Sequence, residues 1–204
     1  MALCQKRQCI MKNLILVILV CTHWTSALAQ GHAVGASAQP PTPLTTIPSL
    51  DVPRYMGTWY EIAKYPNRFQ KKCVADTRAH YQLQAHGRVQ VTNQCRLETG
   101  VMDEAIGEAR QIGSATSPQL QVRFAPAWLS ILPFVWGNYW VVDLDDGYQL
   151  VAVSEPKREY LWVLSRTPKV ASGALDSLLG RLKAQGFDLG RLELTKQAFE
   201  SGAF

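Results

Sequence analysis

The sequence predicts an all-β protein, an eight-stranded up-and-down antiparallel barrel with one C-terminal amphipathic helix packed outside it. Three observations carry this expectation. From Gly57 onward, short β-rich runs recur about every ten residues with turn residues between them. Several runs alternate: Ala79, Tyr81 and Leu83 stand against Arg78, His80 and Gln82, and Leu120, Val122 and Phe124 against Gln121 and Arg123. Each such strand hides one face and wets the other. Beyond the last run, residues 169–185 change to helical spacing, with Val170, Leu175, Leu178, Leu179 and Leu182 on one stripe and Gly186 as the stop. Strands that all hide one face either pack as two sheets or close on themselves. Closure alone removes the exposed edges, and eight strands leave room for one small ligand.

In chain order, the first segment reads as a signal peptide, 1–29. Lys6, Arg7 and Lys12 precede the apolar run Leu14 to Val20, and Ala27-Leu28-Ala29 supplies small residues where a signal peptidase reads them, so cleavage is expected after Ala29. Met11 is an alternative start with the same mature product. An uncleaved anchor would need roughly 20 apolar residues, and Thr22, His23 and Thr25 interrupt the run. Val20, a large residue immediately before Cys21, argues against lipidation at Cys21. Residues 30–48 form a leader rich in Pro and Ala, whose four prolines deny it helix or central strand, and it reads as a spacer. The barrel domain takes 49–204, with strands at about 57–65, 74–84, 88–97, 102–113, 118–124, 137–144, 148–154 and 159–166. Turns fall at Ala85-His86-Gly87-Arg88, Thr116-Ser117-Pro118 and Asp145-Asp146-Gly147. A short strand near Leu192-Glu193-Leu194 follows the helix.

Composition narrows the function. The 204 residues are 47% hydrophobic and 18% charged, which is a folding composition. Removing Lys6, Arg7 and Lys12 with the signal takes the formal charge from +5 to +2, too small and scattered for nucleic acid. Of five cysteines, Cys73 and Cys95 remain in an exported chain. They either bridge, stay as two buried thiols, or leave one reactive thiol. Two thiols without His at ligand spacing make no zinc site, and the acids Asp103, Glu104, Glu108, Asp145 and Asp146 have no metal-ligand spacing. Neither metal nor cofactor is expected.

Gly57-Thr58-Trp59-Tyr60-Glu61 resembles the first lipocalin signature, Gly-x-Trp. The segment from Tyr160 to Pro168, containing Trp162 and Arg166, resembles the last, and Gly137-Asn138-Tyr139-Trp140-Val141 resembles the middle one. In that middle motif Asn138-Tyr139 replaces the usual Thr-Asp-Tyr. The resemblance spans about Leu50 to Phe199 and is strongest to bacterial outer-membrane lipocalins, plant temperature-induced lipocalins and apolipoprotein D. It implies a protein that stores or transports fatty acid or lysophospholipid in the cell envelope, in the periplasm or at the outer membrane, and catalyses nothing.

Parity places the functional residues. In such a meander the start of the first strand meets the end of the eighth, so Arg166 should lie on the Trp59 indole, a cation–π contact of about 0.5–2 kcal/mol. Cys73 and Cys95 should share the opposite, open end. Tyr81, Leu83, Val91, Phe124, Tyr139, Val141, Tyr160 and Trp162 are expected to face inward as the ligand lining, with tyrosine hydroxyls near the rim orienting a polar head group. The open-end connection 125–136 is abnormally apolar for a surface. Trp128, Leu129, Phe134 and Trp136 are read there as a lid, an outer-membrane contact or a homodimer contact, or else as packing into this barrel itself. Two other functions stay open: a pigment or tetrapyrrole carrier, and a barrel enzyme using Cys73 as nucleophile, for which no His or acid is placed as activator.

Overall fold

Alternating apolar residues put one face of each strand toward a common interior, and the reversing residues set where each strand stops. The computed structural model describes residues 42–198; the signal segment, Cys4, Cys9, Cys21 and the cut after Ala29 lie outside them. Among the described residues the first element is a one-turn helix α1 (Val52–Tyr55), followed by β1 (Gly57–Lys64), β2 (Ala75–Leu83), β3 (Val89–Arg96), β4 (Met102–Gln111) and β5 (Gln119–Arg123). After two 3-10 turns come β6 (Gly137–Leu144), β7 (Leu150–Ser154), β8 (Leu161–Ser165), helix α2 (Ser172–Ala184) and the two-residue β9 (Glu193–Leu194). Consecutive strands pair antiparallel from β2 to β8. The barrel closes through β1, which pairs β2 over Gly57–Tyr60 and β8 over Tyr60–Lys64.

Where β1 and β2 part toward the open end, the C-terminal segment fills the gap. β9 pairs with Ala63 and Lys64, and the Gln197 amide donates to the carbonyls of Glu61 and Thr77, one on each of the separated strands. A closed ladder needs every backbone donor and acceptor matched, and this wedge supplies the missing partners.

The sheet separates two apolar clusters. Inside lie Trp59, Tyr81, Val89, Val91, Val141, Val151 and Val153 with Tyr55, Val52 and Leu50 from the N-terminal side. Outside, Leu178 and Leu182 of α2 pack on Ile62, Val142, Ala152, Leu161 and Val163. All five residues of β7 are buried, because one face meets the interior and the other the helix. Arg181 of α2 adds a two-pronged ion pair, its Nε and Nη2 donating to the Asp143 carboxylate of β6 at 2.7 and 2.9 Å.

The spacer reading of residues 30–48 is corrected at its C-terminal end. Leu44 is buried beside α2, the Ile47 amide donates to the Val141 carbonyl, and the Leu50 amide to the Thr116 carbonyl. Prolines forbid a helix there, but three apolar side chains at three-residue spacing still anchor an extended strap against the barrel.

Candidate functional site

At the closed end, Gly57 has φ +94° and a Cβ there would stand 3.3 Å from Arg166 Nη1, so a glycine lets the arginine in. The Arg166 guanidinium sits 3.9 Å from the Trp59 ring centroid and donates to the carbonyls of Thr58, Arg54 and Tyr148. Trp59 Nε1 donates to the Tyr55 carbonyl at 2.9 Å. This tie locks α1 across the barrel as a floor. The residues of the first and last signatures therefore meet as a structural closure.

Above the floor is an interior cavity of about 900 Å³. Its deep wall is apolar, with Leu50, Val52, Val89, Val91, Ala109 and Leu120, and it carries one polar feature. The Tyr139 hydroxyl lies 2.7 Å from that of Tyr55 and 3.0 Å from that of Tyr81. Burial pushes all three phenols up, Tyr81 to about 12 and the other two well above 10, so each stays an O–H group. Higher up, Trp162 Nε1 donates to Gln70 Oε1, and the Gln70 amide donates to Glu61. Glu61 is only 1% exposed and also accepts from the Thr195 hydroxyl. Desolvation raises its pKa against the pull of those hydrogen bonds. The rim mixes charge, with Arg68, Lys72 and Lys157 beside Glu104, Glu155 and Glu159.

Of the expected lining, Tyr81, Val91, Phe124, Tyr139, Tyr160 and Trp162 stand on the cavity wall. Leu83 does not. It is the last residue of β2, beside the closed-end turn, and is 44% exposed. Val141 is fully buried in the inner cluster and lies outside the cavity wall. Tyrosine placement at the rim fits Tyr160, which stacks on Trp162 with centroids 5.7 Å apart, whereas the Tyr81 and Tyr139 hydroxyls turn to meet Tyr55 of the floor helix. Tyr55 had no sequence signal, since one helical turn shows no periodicity.

Cys73 and Cys95 are joined in a disulfide at the open end, between the β1–β2 loop and β3. That removes Cys73 as a free nucleophile and corrects the enzyme alternative that used it. In the 125–136 loop, Trp128 and Phe134 are 76% and 80% exposed and are joined by Ile131 at 85%, while Leu129 is half-buried. Trp136 is corrected as a surface contact. It is 8% exposed, its Nε1 donates to the Ser130 carbonyl, and the Arg110 guanidinium lies 4.1 Å from its ring centroid. Arg123, assigned to the wet face by alternation, is buried beside it with Nη2 paired to Glu108. No cluster of three metal-capable side chains occurs among the described residues.

The geometry agrees with comparison to known proteins. The lipocalin-like domain model matches residues 50–197. Temperature-induced lipocalin-1 of Arabidopsis thaliana is 37% identical over 76% of this chain and 83% of its own length. Outer membrane lipoprotein Blc of Escherichia coli K12 is 34% identical over 79% of this chain and 88% of its own. Among solved structures, insecticyanin from the tobacco hornworm Manduca sexta superposes with a TM-score of 0.58 at 16% identity, over 79% of this chain and 86% of its own, which bears on the fold alone. The signatures that meet at the floor, the closed barrel and these matches give one conclusion: the chain belongs to the lipocalin family.

Proposed function

We propose that this protein is an exported lipid carrier of the cell envelope that binds fatty acid or lysophospholipid inside its barrel and performs no catalysis. Lipocalins typically bind small hydrophobic molecules. The observation that carries the reading is the cavity of about 900 Å³, whose deep wall is aliphatic and aromatic and whose rim is charged. An acyl chain drawn into it gains roughly 0.8 kcal/mol per methylene removed from water, while a charged head group stays at the rim among Arg68, Lys72 and Lys157. The envelope assignment is supported by the N-terminal signal pattern and by the relative named an outer membrane lipoprotein. With Val20 before Cys21, attachment falls to the exposed apolar loop at the open end rather than to a lipid on Cys21.

The test is to fill the cavity. Ala109 is buried on β4 in the middle of the deep wall, between Val89 and Val122 of its neighbours. Ala109→Phe is expected to weaken palmitic acid binding by about tenfold or more with little change in thermal unfolding, because the ring enters open space rather than packed core. Unchanged affinity in the folded variant would place the ligand outside the barrel and overturn the proposal.

A further inference from the structure

The tyrosines of the floor carry one hydroxyl proton more than they use among themselves. Each phenol donates one hydrogen bond. The Tyr55–Tyr139 and Tyr81–Tyr139 contacts consume two of the three protons, and no other hydrogen-bond partner of these hydroxyls occurs among the described residues. All three side chains line the cavity, among apolar neighbours such as Leu50, Val52, Ala79 and Leu120 that offer no side-chain acceptor. A buried donor without an acceptor bears its desolvation cost unrelieved.

The surroundings specify the charge of the missing acceptor. Below the floor lies Arg166, which donates to the Thr58, Arg54 and Tyr148 carbonyls and lays its face on Trp59. A carboxylate or phosphate at the trio would give up several water hydrogen bonds for one spare phenol donor, a loss that the through-space attraction of Arg166, felt at Tyr55 and Tyr81, offsets only in part. A ketone oxygen, which accepts and brings no proton of its own, would instead complete the hydrogen bonding.

We propose that the Tyr55–Tyr139–Tyr81 chain is a second recognition element, selecting acyl chains that carry a neutral oxygen acceptor at their inner end. The preferred ligand is then two-ended, with its charged head at the rim and a keto group on the tyrosines. The inference rests on the carrier reading above and adds the ligand's chemical class. Burial of the phenols keeps them in donor form throughout the physiological range.

The experiment measures competitive displacement of N-phenylnaphthylamine by palmitic acid, lauric acid and the penultimate-carbon ketone of each. The full chain is compared with the triple variant Tyr55→Phe, Tyr81→Phe, Tyr139→Phe. All three hydroxyls are removed together because any shorter chain of them still leaves one donor spare. Removing mutually paired groups together leaves packing nearly intact. For at least one chain length the ketone is expected to bind about tenfold more tightly than its parent acid to the natural protein, and equally to the triple variant. The bound ketone's infrared C=O stretch should shift to lower frequency only in the natural protein. Equal binding of every pair to the natural protein, or a preference that survives in the triple variant, overturns the subsite while leaving the carrier standing. Failure of the parent acids themselves to bind overturns both.

Discussion

Arg166 is held from three sides: by the Trp59 face, by the Arg54 and Thr58 carbonyls of α1 and the start of β1, and by the Tyr148 carbonyl of the β6–β7 turn. A lysine keeps the charge but offers neither a planar face nor a fork of donors. Arg166→Lys is therefore expected to cost about 2 kcal/mol in urea unfolding; a change indistinguishable from zero would mean the floor is held by apolar packing alone. The floor tyrosines predict a pH effect. Their folded pKa values lie above the ordinary 10.0, Tyr81 at about 12, so the folded state holds these protons more tightly than the unfolded chain. Their contribution to stability is complete below pH 10 and is lost as pH rises toward 12 and beyond. The triple Phe variant should lose much of this alkaline decline in a pH series of thermal unfolding, and an unchanged slope would contradict the burial argument. At this scale Trp59 and Arg166 were legible because the motifs mark both and parity brings them together. The tyrosine chain was not, because it needs Tyr55 from a single helical turn.

Among the elements, the strands were legible and their ends less so. Alternation reports which face is buried, but bulges interrupt it between Glu61 and Ala63 and between Val141 and Asp143. Such a bulge leaves Glu61, Ile62 and Ala63 all buried in succession, which no period of two announces. The strap 42–50 was hidden by its prolines, and the placement of Arg123 and Trp136 depended on how the long loop folds back. That loop leaves Trp128, Ile131 and Phe134 exposed beside the cavity mouth, a patch suited to a membrane interface. Replacing all three with serine should leave unfolding unchanged, since each is at least three-quarters exposed, and should reduce co-sedimentation with phospholipid vesicles. Unchanged sedimentation would remove the loop from membrane attachment, and a change from dimer to monomer would assign the patch to a second copy instead.

For the whole molecule, one sheet does two jobs. Its outer face, under α2, is packed solid around Leu178 and Leu182, while its inner face is packed only near the floor and left open above. Rigidity thus resides in the floor, the helix interface and the Cys73–Cys95 bridge, and the space between them is available to a guest. The fold class was readable because eight short strands, several of them alternating, have few ways to hide their apolar faces. The cavity's chemistry was readable only in part, since alternation says which way Tyr81 and Tyr139 point but says nothing of what their hydroxyls meet. The most direct test of the carrier account is native mass spectrometry of the purified protein, followed by solvent extraction of whatever co-purifies and titration with acyl ligands. The account predicts a bound fatty acid or lysophospholipid, or stoichiometric uptake of one. An empty barrel that refuses the whole acyl panel would contradict it.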